Sequence, residues 1–217
     1  MRRTRLALRK VKLMGGWRHI KGITAYLPKA NVDTDQLIPA RFMSAPRSEG
    51  YGGYLLYDQR RDAYGQLGPS FPLNTNKTPS VLIAHRNFGS GSSREAAVYA
   101  LVDAGFQAVI APSFGDIFSS NAVNNGLLPL RLEEEDHAAL VLCHKAQPDL
   151  PTAIDLDTCR LRLGSFECLF TLDETWRLKL INGWDDIDMT QQYLSRIDMY
   201  RERNSHVTPW VWPKGVD

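Results

Sequence analysis

With 217 residues, 43% of them apolar and 23% charged, the chain can build one large domain or two small ones around a real core. A formal net charge of +2 gives no case for a nucleic-acid partner, and no apolar run approaches the roughly 18 residues that a membrane span needs. Cys143, Cys159 and Cys168 are odd in number and form no C-x-x-C. They read as reduced cytosolic thiols, so a cytoplasmic protein with no metal or cofactor of its own is expected.

Residues 1–16 form a basic N-terminal extension: Arg2, Arg3, Arg5, Arg9, Lys10 and Lys12 crowd it, and the first acidic residue is Asp33. A flexible arm or an over-long gene start fits it better than a targeting peptide, which needs a longer apolar stretch or more serine. Trp17 to Leu27 alternates and predicts a first strand, broken at Pro28. In Asn31-Val32-Asp33-Thr34-Asp35 the side chains can cap turns. Alternatively, the two carboxylates of an extended segment project to one side and work as a unit. Residues 44–80 are rich in glycine, proline and tyrosine and read as a lid or binding loop. Tyr51, Tyr54, Leu55, Leu56 and Tyr57 could make one short amphipathic helix within it. Arg41, Arg47, Arg60 and Arg61 there are solvated charges or reach an acidic ligand.

Val81 to Ala84 reads as a strand running into His85-Arg86-Asn87-Phe88-Gly89-Ser90-Gly91-Ser92-Ser93-Arg94-Glu95, with an apolar helix behind it. Gly89 and Gly91 allow positive φ and close approach to the main chain. Ser92-x-x-Glu95 fits a capping box, which predicts a helix start at Ser92 or Ser93. Free N–H groups at that end attract an anion, and Arg94 adds a planar donor fork. An ordinary Gly-Ser turn with a well-made cap has the same residues, and the short motif does not separate the two. The dinucleotide, Walker and nucleophile-elbow patterns are absent. Phe106 to Ala111, Ile117 to Val123 and Leu127 to Leu132 continue as strand, helix and strand. The result is a parallel βαβαβ unit, whose ligands sit at the carboxyl ends of its strands. Glu133 to Asp136 starts a further helix. Residues 150–180 read as antiparallel strands, 186–203 as a helix, and 204–217 as a Trp- and Pro-rich tail.

Four segments together resemble a known family. These are Asn31-Val-Asp-Thr-Asp35 with Ile38-Pro39, Asn87-Phe-Gly-Ser-Gly-Ser-Ser-Arg-Glu95, Ala111-Pro-Ser-Phe-Gly-Asp-Ile-Phe118, and Asn125-Gly-Leu-Leu-Pro129. In order and spacing they are similar to the small subunits of 3-isopropylmalate dehydratase, the LeuD type of the aconitase superfamily, over roughly residues 17–203. The resemblance implies an α/β fold, the swivelling β/β/α domain. It implies a hydro-lyase of leucine biosynthesis that interconverts 2- and 3-isopropylmalate by dehydration and rehydration. The active site would be shared with a LeuC-type large subunit, whose 4Fe-4S cluster acts as Lewis acid. By the same resemblance Ser92 is the catalytic base, and Ser93 and Arg94 bind a substrate carboxylate with Asp35 in the site region. Ser44 and Arg47 lie where relatives with tricarboxylic substrates carry an arginine. Three positions depart from the pattern: Ser90 replaces a usual cysteine, Ala96 a histidine and Ala97 a proline. A paralogue acting on another 2-hydroxy diacid, such as citramalate or homocitrate, and a non-catalytic anion-binding module therefore stand as alternatives.

Overall fold

The computed structural model describes residues 15–75 and 77–211. Most of the basic extension and Trp212 in the tail therefore lie outside the described residues. The elements in chain order are β1 (His19–Gly22), β2 (Thr24–Tyr26), α1 (Thr34–Leu37), α2 (Tyr57–Arg60), β3 (Val81–Ile83), α3 (Glu95–Asp103), β4 (Ala108–Ala111) and α4 (Asp116–Asn124). There follow β5 (Leu128–Arg131), α5 (Glu134–Ala146), β6 (Thr152–Asp155), β7 (Arg160–Leu163), β8 (Phe166–Leu169), α6 (Glu174–Asn182), α7 (Asp186–Gln191) and α8 (Leu194–Val207).

A parallel sheet of order β2-β3-β4-β5 forms the middle layer. Its strands are buried on both faces, which is why they read as unbroken apolar runs. Alternate residues go to opposite sides. Leu82, Ala84, Val109 and Ala111 join a core with Leu37 of α1 and Ala97, Val98 and Leu101 of α3. Val81, Ile83, Ala108, Ile110, Leu128 and Leu130 join a second core with Leu140 of α5, Leu180 of α6 and an antiparallel sheet. That sheet has the order β1-β6-β7-β8 and contributes Ile20, Ile154, Leu161 and Leu163. Helices, parallel sheet and antiparallel sheet stack as a β/β/α sandwich, the architecture expected from the family pattern.

Four sequence expectations change. The stretch Trp17–Leu27 is two strands in two sheets, because the chain crosses between layers at Gly22-Ile23. A Cβ at Gly22 would fall 1.8 Å from Ser80 Oγ, so any larger residue at this crossing would have to displace the Ser80 hydroxyl. The helix expected around Tyr51–Tyr57 is a 3-10 turn at Gly52–Tyr54 and then α2, interrupted by Leu56 in the left-handed region (φ 50°). Residues 174–182 are helical, not extended: Asp173 accepts from the Trp176 N–H at 3.1 Å, and Gly183 ends the helix at φ 67°. The helix expected over 186–203 is split between α7 and α8, and α8 runs on through residue 204, where the tail was expected to begin.

Candidate functional site

Beyond the carboxyl ends of β2, β3 and β4, three loop segments continue side by side like short strand extensions. The Asn31 N–H donates to Arg86 O (3.0 Å), Gly89 N–H to Val32 O (2.7 Å) and Thr34 N–H to Ser90 O (2.9 Å). On the other flank, Phe88 N–H donates to Ser113 O (3.0 Å) and Gly115 N–H to Phe88 O (2.9 Å). The loop 86–92 is thus stitched on both sides. Gly89 is forced: its φ is +70°, and a Cβ there would lie 2.2 Å from the Phe118 ring. Asn31 and Asn87 both take positive φ (55° and 59°), and their side chains bond each other at 2.9 Å.

Gly91 (φ +93°) then turns the chain outward, so that Ser92 and Ser93 are exposed ahead of α3. The helix starts later than the capping box requires. Arg94 is its N-cap with extended φ and ψ and no side-chain cap bond, and Glu95 is its first residue. Glu95 is drawn elsewhere: its carboxylate accepts from Asn125 Nδ2 at 2.9 Å. The Ser92 carbonyl instead accepts from the Arg94 N–H at 2.8 Å and from the Thr34 hydroxyl at 3.0 Å. Among the described residues the N–H groups of Ser92, Ser93 and Glu95 have no protein acceptor. They are available to an anion at this end of α3.

Asp33 and Asp35 do separate work. Asp33 caps α1, accepting from the Gln36 N–H at 2.7 Å and from Gln36 Nε2 at 3.2 Å, as the turn reading expects. Asp35 pairs with Nη1 of Arg94, whose side chain is 22% exposed. The guanidinium keeps further N–H donors for a ligand. Ser92, Ser93, Arg94 and Asp35 are therefore brought together. Arg47 is not brought to them. It makes a bidentate pair with Asp103 at 2.6 and 2.8 Å and lies over Tyr99, 4.4 Å from the ring centroid. Asp103 is the last residue of α3 and Arg94 its N-cap, so the partner of Arg47 lies about 13 Å of helix away from Arg94. Ser44 is exposed, with its hydroxyl 3.4 Å from Arg41 O.

Sequence reading missed Thr34 as a clamp and Asn125 as the partner of Glu95. Thr34 is 2% exposed and Asn125 7%. Thr34 sat inside a stretch read for its carboxylates, and Asn125 sat in a helix stop. A polar residue in a buried register would have been the signal. His85 accepts or donates to the Tyr26 hydroxyl at 2.8 Å and stacks edgewise on His137, which fits a structural histidine at the root of the loop.

The family pattern implies an iron–sulfur cluster, and this chain's residues do not fit one. Cys143, Cys159 and Cys168 are free and packed around the second core. Burial, with Asp136 and Glu167 nearby, pushes the Cys168 thiol up to about 11, away from the thiolate a cluster needs. The candidate ligand group among the described residues, His19, Asp155 and Asp157, has no sulfur, and Arg18 pairs with Asp157 at 2.7 Å.

The chain is a β/β/α sandwich with open loops at the carboxyl ends of its parallel strands, an aconitase-type domain, and residues 14–135 match the family model for the aconitase C-terminal domain. The chain is 43% identical over 190 residues to the 3-isopropylmalate dehydratase small subunit of Shouchella clausii, covering 86% of this chain and 95% of that protein. It is 42% identical over 184 residues to the small subunit of Shewanella baltica, covering 82% and 92%. The crystal structure of a 3-isopropylmalate dehydratase from Methanocaldococcus jannaschii aligns with a TM-score of 0.56 at 25% identity, covering 86% of this chain and 99% of that one. The chain belongs to the 3-isopropylmalate dehydratase small-subunit family.

Proposed function

We propose that the chain is the small subunit of a cytoplasmic 3-isopropylmalate dehydratase and supplies half of an active site completed by a LeuC-type large subunit carrying the 4Fe-4S cluster. The observation that carries this reading is the meeting of two exposed serines with an Arg94 held by Asp35, at loops stitched to the ends of β2–β4. The site is open, and a group that must exclude water while handling a carbon acid needs a second surface to close it.

In this reading a substrate carboxylate takes the free donors of Arg94, the Ser93 hydroxyl and the N–H groups before α3. Asp35 holds the guanidinium from behind, so its orientation is set before substrate arrives. Ser92 Oγ removes the proton from the carbon next to that carboxylate, and the hydroxyl leaves the neighbouring carbon to give the alkene. Water then adds in the opposite sense, with Ser92 returning the proton. A serine hydroxyl is a weak base, and the cation and aligned N–H groups at the head of α3 stabilise its alkoxide. Ser92→Ala should lower the rate of the reconstituted enzyme by about 10²–10⁴-fold. A loss within about tenfold would show that the base is another group.

Ser44 stays a candidate contact for the group that distinguishes substrates. Arg47 is paired with Asp103 and Arg41, beside Ser44, with Asp58, so both arginines already have a carboxylate; this supports an alkyl-bearing malate over a homocitrate-type substrate.

A further inference from the structure

Arg60 is a half-buried guanidinium with no acidic partner. Its Nε donates to Asn74 Oδ1 at 2.8 Å and its Nη1 to Leu55 O at 3.4 Å. Among the described residues no carboxylate pairs with it. A guanidinium offers five N–H donors, so several remain unspent. Burial and the neighbouring Arg61 push its pKa down, the sign of a cation short of compensating charge. It lines a cavity of about 230 Å³ together with Lys77, Thr75 and Thr78, and among the described residues no carboxylate lines that cavity. The volume falls below the roughly 300–1,000 Å³ of ordinary organic-ligand pockets, so the occupant is small. The Thr75 hydroxyl is bonded to the Lys77 main chain, which leaves two cationic residues and Thr78 as a donor-dominated set of the kind that suits a tetrahedral oxyanion.

We propose that this cavity, between Arg60, Lys77 and Thr78, is a second binding site, for a phosphate-type oxyanion. It is distinct from the site before α3. Its wall includes Ala104 and Phe106, which follow the far end of that helix, about 13 Å from Arg94. Lys77 stands at the rim paired with Asp149, whose side chain is 79% exposed. An incoming anion therefore competes with Asp149 for the Lys77 ammonium. That competition gives the proposal a signature that Arg60's ties to its own loop cannot mimic.

The test is a titration of the full chain, ¹⁵N-labelled at arginine, with inorganic phosphate at constant ionic strength, reading the Arg60 Nε–H signal. The shift should saturate. Lys77→Met should weaken binding about two- to fivefold, and Asp149→Asn, by releasing Lys77, should tighten it by a similar factor. Neither substitution touches the Arg60 bonds to Asn74 and Leu55. Methyl phosphate in a parallel titration separates the sources: tighter binding than phosphate identifies an ester group, equal binding the free ion. A shift that climbs without saturating, or one with the same midpoint in all three chains, overturns the proposal.

Discussion

Thr34 touches both ends of the Gly91 turn, donating its N–H to Ser90 O and its hydroxyl to Ser92 O from a buried position. In the proposed mechanism it fixes where the Ser92 side chain starts. Thr34→Val keeps the shape and removes the hydroxyl, which leaves the Ser92 carbonyl with one donor fewer and costs about 0.5–1.5 kcal/mol. The reconstituted enzyme should then lose kcat with little change in KM, while Thr34→Ser should restore it. Equal losses in the two variants would reduce Thr34 to a packing residue. Arg47 is predicted to behave the opposite way. Its side chain is 28% exposed and its pair with Asp103 is bidentate, so Arg47→Gln should lower stability by about 1–3 kcal/mol in urea unfolding. KM should stay within about twofold; a large rise would return Arg47 to the substrate.

At the scale of elements, the parallel βαβαβ unit was legible because each strand is a short apolar run buried on both faces, bounded by Gly or Pro turns. Helix α6 was not. Trp176-Arg177-Leu178-Lys179-Leu180 alternates apolar and polar, which is a strand's period. Yet only Lys179 and Leu180 of the helix are buried, and the cap at Asp173 decides the outcome. The helix start at α3 was misplaced for a related reason. Ser92 and Glu95 have the right types for a capping box, but Asn125 lies 30 residues away in sequence and claims the Glu95 carboxylate. Long-range partners of that kind leave no local trace. The four candidate residues that meet, Asp35 and Ser92 to Arg94, were legible because family spacing marked them; their wiring through Thr34 and Asn125 was not. Gly89 carries an element-level prediction. Gly89→Ala places a methyl inside the Phe118 ring volume at a positive φ, and should cost about 2–4 kcal/mol in unfolding free energy. Gly91→Ala meets no atom closer than 3.5 Å and should cost only the backbone strain, about 1–2 kcal/mol. Equal costs would mean that Phe118 moves aside freely.

The whole molecule holds its two cores on opposite faces of one parallel sheet, with His137 and His144 of α5 buried on the second. Burial pushes the pKa of both below the ordinary histidine value near 6.5. For such a group the unfolded chain takes up a proton that the folded chain refuses. Stability is therefore fully present above about pH 6.5 and is lost as pH falls below it. The melting temperature should drop between pH 7 and 5, and His144→Phe should flatten part of that slope; an unchanged slope would remove His144 from the account. Nδ1 of His144 has no hydrogen-bond partner, so the substitution leaves no new orphan behind.

The central claim is that this chain is one half of a split dehydratase. Its most direct test is anaerobic 2-isopropylmalate dehydration, followed by alkene absorbance, with the chain alone and with a cluster-loaded large subunit from the same genome. The account predicts no turnover by the chain alone, turnover in the mixture, and its loss with Ser92→Ala. Turnover by the chain alone, or none in a mixture where the two subunits bind and the cluster is intact, would contradict it.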